Sequence, residues 1–224
     1  MSKVNCLRKG CKDVFNAFLV ENAVYDGILE IPALKGGIYH PDGVIEFSKA
    51  LSSQEYDYWV HFYEDDSSFE RIWKNPKKYL HILKKYAGVI TPDFSLYRDM
   101  PLIMQLWNIY RSHAIGSWLQ ENGVNVLPNV RFGDERTYDA CCLGVPNNST
   151  IAIGTHGCVK NKEDKKYLSS GIDHVIASVR PKIIVVYGTT PADIFDKYQE
   201  QGICILQFSS SFAKSRTGDC YGNR

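Results

Sequence analysis

The stretch Val124 to Tyr138, VNVLPNVRFGDERTY, runs an apolar strand straight into Arg131, Asp134, Glu135 and Arg136 around Gly133. Carboxylates beside arginines can supply acid–base catalysis and anion binding, and the glycine lets the chain turn them toward one mouth. The competing reading is a loop whose charges pair with one another and cap the next segment, which contributes little stability. Asp93, in TPDFSLYRDMP, is a second carboxylate directly after a short apolar run, or else an Asx-turn or cap acceptor. His156 lies in GTHGC between two glycines, where an imidazole could transfer a proton or hold a ligand. Cys158 reads as structural unless it lies within hydrogen-bond reach of that histidine. YGTTPAD places Tyr187, Gly188, Thr189 and Thr190 where a strand turns into a helix, a geometry that offers free backbone N–H groups to an anion or simply caps the turn. The candidate catalytic groups are therefore Asp93, Asp134, Glu135 and His156, and the candidate substrate-binding groups Arg131, Arg136, Tyr187, Gly188, Thr189 and Thr190. Asp65 and Asp66 precede a helical run and rank lower, as N-caps.

Several common signatures are missing: HExxH, GxSxG, paired CxxC and the dinucleotide fingerprint. Cys6 and Cys11 form a close pair without a matching second pair, so no metal site is assigned, and no cofactor either.

These groups need a scaffold that delivers them to one face. Apolar or β-branched runs recur at YWVHFY (58–63), GVIT (88–91), VNVLPNV (124–130), TIAIG (150–154), KIIVVYG (182–188) and ICILQF (203–208), starting 21 to 36 residues apart. That spacing fits repeated βα units with a parallel sheet. ILEIPAL (28–34) could add a seventh strand, which Pro32 would push to an edge. Helical periodicity covers the segment from Phe69 to Leu83, broken by Pro76, and the stretch from Pro101 to a C-cap at Gly123. Two more helices are expected from Asp164 to Val179 and from an N-cap at Thr190 to Gln201. Trp73, Met104, Trp107 and Trp118 read as core or sheet-packing residues. Because nearly every strand ends in polar groups, the expected fold is α/β, an incomplete or irregular TIM-like (β/α) barrel, with an open doubly wound sheet as second choice.

The chain has 224 residues, 44% hydrophobic and 23% charged, enough for one core. The expected layout is an amino-terminal segment over 1–26, a single α/β domain over 27–208 and a polar tail over 209–224. A net charge of +1 gives no general field for a polyanion, although nucleic acid stays open as a partner. The lysines at 160, 162, 165 and 166 alternate with Glu163 and Asp164 and read as a solvated loop or helix start. No signal peptide and no membrane span is visible, and seven cysteines suit reduced thiols, so a cytoplasmic location without membrane contact is expected.

Taken together, VITPDFSLYRDMP, VLPNVRFGDERTY, AIGTHGC and PKIIVVYGTTPADIF resemble the domain of unknown function 4417 family of bacterial and phage proteins, over about Phe15 to Phe208. The resemblance implies a setting in bacterial genomes, prophages or other mobile elements. It implies no activity and no catalytic residue. Two functional readings follow. One is an enzyme, a hydrolase or transferase, acting on a small polar or phosphorylated substrate such as a nucleotide or nucleic-acid end. The other is a non-catalytic module that captures a host protein or sequesters a signalling ligand.

Overall fold

A computed structural model describes residues 13–157 and 161–209 of the chain. Its centre is a run of parallel strands: β3 (Val44–Glu46), β4 (Trp59–His61), β5 (Gly88–Ile90), β6 (Val126–Leu127), β7 (Thr150–Gly154), β8 (Ile183–Tyr187) and β9 (Cys204–Phe208). Each pairs in parallel with its neighbour in sequence, in a four-stranded and a three-stranded group. The two groups meet at a parallel bridge between Asn129 and Ala152, closed by Val130 N–H to Ala152 O at 2.8 Å and Ala152 N–H to Pro128 O at 2.7 Å. Pro128 has no N–H to give, which is why the expected strand over 124–130 shrinks to two residues and a bridge.

The order never reverses, so the doubly wound alternative is excluded. A consecutive parallel order with right-handed crossovers puts every helix on one face. The clusters agree: Val60, Val89 and Val126 pack with helical Phe69, Ile72, Leu83, Ile115 and Leu119, while Ile151, Ile153, Ile184 and Val186 pack with Ile172, Val175, Ile194 and Phe195. The alternate strand residues Trp59, Ile90, Leu127, Ala152 and Val185 form a third cluster, with Val44 and Leu206 from the two edge strands packed against it. That face is buried with no helix in its cluster, so the sheet must curl upon itself. Among the described residues no pair joins β3 to β9, and the ring is not closed by hydrogen bonds.

The helices are α1 (Phe47–Ala50), α2 (Asp66–Lys74), α3 (Pro76–Leu83), α4 (Leu102–Glu121), α5 (Lys162–Val179) and α6 (Ala192–Glu200). Pro76 separates α2 from α3, and Gly123 at φ 81° follows the end of α4, both as the sequence leads one to expect. From Asn108 to Leu119 α4 is buried on nearly all sides, because the antiparallel pair β1 (Tyr25–Asp26) and β2 (Ile31–Pro32) and a 3-10 turn at Ala17–Val20 cover its outer flank. Leu19 of that turn is fully buried in the first core cluster.

Three expectations need correction. ILEIPAL does not join the parallel sheet: Ile31–Pro32 pairs with Tyr25–Asp26, and the seventh parallel strand is Val44–Glu46. Thr190 does not cap α6; Pro191 occupies that position and the Thr190 hydroxyl donates to Gln207 Oε1 at 2.8 Å. Met104 and Trp107 are not core residues but stand 49% and 40% exposed at the start of α4, whereas Trp118 is buried. Of the two aspartates ahead of α2, Asp65 takes the expected N-cap position, without a side-chain cap bond. No helix among the described residues is long and apolar enough to cross a membrane.

Candidate functional site

Period-two alternation fixes what arrives at the carboxyl ends of the strands. Two residues beyond the inner-face positions Val44, Trp59, Leu127, Ala152 and Val185 stand Glu46, His61, Asn129, Gly154 and Tyr187. The inward stripe thus changes from apolar to polar within one step of the pleat. Tyr63, Asp93 and Arg131 follow as the chain leaves β4, β5 and β6.

These side chains form one chain of contacts. Tyr63 donates its hydroxyl to Asn129 Oδ1 at 2.9 Å, and Asn129 Nδ2 donates to Asp93 Oδ1 at 2.7 Å. Arg131 Nη1 lies 3.5 Å from the other oxygen, Asp93 Oδ2. Asn129 is itself fixed through its backbone N–H, which donates to Thr91 Oγ1 at 2.9 Å. With the tyrosine donating to one end of the amide and the carboxylate accepting at the other, its orientation is determined. The Tyr63 ring stacks on Tyr187 at 4.9 Å and 10°, and the His61 ring approaches Tyr187 at 4.3 Å. Gly154 makes room for this: a Cβ there would stand 2.7 Å from Tyr63 Cε1.

Burial sets the protonation of these groups. It pushes the Asp93 carboxyl above the ordinary carboxylate value, with Arg131 and the Asn129 bond pulling partly back. It also raises the Tyr63 phenol well above 10, so Tyr63 stays a donor. His61 is lowered to about 4 by burial, against the opposing pull of Glu46. Its Nδ1 accepts the Tyr63 backbone N–H at 3.1 Å, so the neutral ring carries its proton on Nε2. Among the described residues no group of three or more His, Cys, Asp or Glu side chains is placed to hold a metal.

The other sequence candidates lie apart from this chain. Asp134 caps a 3-10 turn at Glu135–Thr137 and holds Arg136 at 2.8 Å, while Arg136 also donates to Arg98 O at 2.6 Å. The Arg136 bonds hold the Asp134 carboxyl below its ordinary value. Glu135 is exposed. Arg131 and Asp134, three residues apart in the sequence, therefore serve different neighbourhoods.

His156 is exposed just beyond β7. Its backbone N would lie 3.0 Å from a Cβ at Gly188, whose φ of 123° only glycine adopts readily. The turn after β8 is tied down by Thr155 Oγ1, which donates to Thr189 O at 2.7 Å, and by Gln207 Nε2, which donates to Gly188 O at 2.9 Å. Cys158 lies outside the described residues.

Asn129 and Arg131 also line a narrow crevice, with room for about one water, beside Asn108, Ser112 and His113 of α4. His113 is buried, lowered to about 4 by that burial, and lies with Nδ1 3.0 Å from Pro32 O.

Glu46, His61, Tyr63 and Asn129 were not among the sequence candidates. The period-two signal in YWVHFY was available for His61 and Tyr63, since Trp59, His61 and Tyr63 share a face. For Glu46 the signal was weaker: two β-branched residues in GVIEFSKA ahead of a short helix.

The chain is 36% identical over 129 residues to the "Gene 1 protein" of Mycobacterium phage L5, a match covering 58% of this chain and 56% of that protein. It is 35% identical over 129 residues to the "Gene 1 protein" of Mycobacterium phage D29, covering 58% and 48%. The chain spans about half the length of these relatives. No solved structure matches it. Residues 23–209 match the family model described as domain of unknown function DUF4417, and the chain belongs to that family.

Proposed function

We propose that the polar mouth at the carboxyl ends of β4, β5 and β6 binds a small polar or phosphorylated ligand and exchanges a proton with it through Asp93. The observation that carries this reading is the contact chain from Tyr63 through Asn129 to Asp93 and Arg131. Arg131 supplies a guanidinium for an anionic group. Asp93, raised above the ordinary carboxylate value by burial, suits a general acid or base. Asn129 positions that carboxyl, and Tyr63 orients Asn129. His156 and the turn from Gly188 to Thr190 border the mouth, and since the Gly188 N–H is already taken by Phe208 O at 2.8 Å, any backbone donor from this turn comes from Thr189 or Thr190. In this reading Asp134, Glu135 and Arg136 shape the loop after Arg131 and take no part in the reaction.

The test is thermal unfolding of the full chain against inorganic phosphate, nucleoside monophosphates and sugar phosphates, repeated with Arg131→Ala. A ligand at 100 times its dissociation constant adds about 2.7 kcal/mol. A shift in the wild type that disappears in the variant supports the reading. Turnover of the bound compound that is lost in Asp93→Asn assigns catalysis, and binding without turnover leaves a sequestering module. No shift with any phosphorylated compound would refute the site.

A further inference from the structure

Away from the mouth, the outer side of α2 and α3 concentrates positive charge. From Asp66 to Lys85 the sequence holds six Lys or Arg residues against two Asp or Glu, in a chain whose whole net charge is +1. Phe69, Ile72, Tyr79 and Leu83 turn inward to the core, and Arg71, Lys74, Lys77, Lys78, Lys84 and Lys85 are all exposed. Arg71 and Lys74 stand three residues apart on α2, and Lys77, Lys84 and Lys85 recur at helical spacing along α3 and the turn that follows it. The local acids do not neutralise them. Asp66 accepts the Ser95 hydroxyl at 2.9 Å, and Glu70 is held by Arg111 at 2.9 Å. Among the described residues none of the six basic side chains pairs with a carboxylate. Four of them lie over aromatic rings instead: Lys77 Nζ stands 4.2 Å from the centre of Phe18, with Arg71 over Phe47, Lys78 over Tyr79 and Lys85 over Tyr56. At exposed sites such contacts are weak and leave the charge open to a partner.

Compensation of the helix dipole accounts for Arg71 and Lys74, which sit in the last turn of α2. It does not account for Lys77 and Lys78, which sit in the first turn of α3, where the dipole opposes a cation. An anionic chain lying across the corner between the two helices would offset that repulsion. Next to this corner, at the start of α4, Ile103 is 72% exposed, Met104 49% and Trp107 40%. Trp73, the residue before Lys74, meets Trp107 edge-on at 5.4 Å, so the apolar surface adjoins the basic one. A duplex would use the charge alone, because its bases are stacked inside it. A single strand uses both surfaces, with phosphates on the cations and an unstacked base on an aromatic side chain. We infer that the outer face of α2 and α3, with Trp107 at its margin, binds single-stranded nucleic acid. The inference concerns a surface separate from the mouth and does not depend on the role proposed for Arg131.

The experiment is fluorescence anisotropy of a labelled oligothymidylate of about 20 nucleotides, titrated with the full chain across a salt series. The proteins are the wild type, Lys77→Gln with Lys78→Gln, and Lys162→Gln with Lys166→Gln, which makes the same change of charge at exposed positions on another helix. A duplex of equal length and polyglutamate serve as unlabelled competitors. The expected result is binding that weakens linearly with the logarithm of salt concentration. The α3 pair weakens it by about tenfold at low salt and lowers the salt slope by about 1.4, since each single-strand phosphate contact contributes about 0.7. The α5 pair changes neither, and the single strand competes about fivefold better than the duplex, a preference that Trp107→Ala removes. No binding at low salt overturns the inference. Equal losses in the two lysine pairs overturn the assignment to this face. A duplex that competes as well as the single strand, or a single-strand preference that survives Trp107→Ala, overturns the part given to Trp107. Polyglutamate that competes as well as the oligonucleotide overturns nucleic acid in favour of an acidic protein partner.

Discussion

A histidine that is neutral because it is buried ties stability to pH. His61 and His113 are each lowered to about 4, in both cases chiefly by burial. The unfolded chain binds these protons from about pH 6.5 downward, the folded chain from about 4, so between those values the unfolded state holds more protons and stability falls as pH falls. At one pKa unit per 1.36 kcal/mol the loss approaches roughly 3 kcal/mol per histidine by pH 4. Asp93 runs the opposite way, since its raised carboxyl is protonated in the folded state first. Urea denaturation from pH 7 to pH 4 should show this decline, and His113→Gln should flatten it; an unchanged slope in the variant would remove His113 from the account. Such a histidine is hard to read from sequence. Asp93 and Arg131 stand at strand exits, where polarity changes visibly along the chain. His61 lies inside an apolar run, and its role depends on which face of the strand looks inward. Asp134 shows the converse: its type and position suggested chemistry, but a local partner two residues on, Arg136, claims it.

At the scale of elements, the strands legible in the sequence were those with long β-branched runs, and the parallel strand missed, Val44–Glu46, is three residues long and joined directly to α1. ILEIPAL competed for that place on composition, but Pro32 and the positive φ of Glu30 turn it back on Tyr25–Asp26. The start of α4 misled for a related reason. Ile103, Met104 and Trp107 are apolar at helical intervals, yet the elements that cover the rest of the helix do not bury its first turns. The packing of β4 on β5 makes a sharper statement. Gly88 faces the Trp59 ring, and a Cβ there would lie 2.4 Å from Trp59 Cζ3. That ring is 5% exposed and is backed by Tyr39 at 4.9 Å, so it has little room to move. Gly88→Ala should cost about 1–3 kcal/mol by overpacking, read from the denaturation midpoint. A cost near zero would mean that the inner face is looser than these distances imply.

For the molecule as a whole, the alternation of strand and helix determined the class, and the consecutive strand order was foreseeable from the spacing of the apolar runs. Closure was not. Whether the first and last strands meet depends on curl and stagger accumulated over all seven, quantities that no local pattern encodes. The consecutive order also has a temporal side. A chain emerging from the ribosome completes β3 to β6 and the first core cluster, drawn from residues between Leu19 and Val126, before β7 exists. For a delay on the order of seconds the unfinished edge is Val126–Leu127, a template for any other extended chain. Pro128 stands at that edge with no N–H to offer, so the growing half-domain carries its own guard against misassembly. Pro128→Ala should leave the purified protein's unfolding midpoint nearly unchanged while lowering the soluble yield of cell-free synthesis, because the proline acts on the unfinished sheet rather than on the finished one.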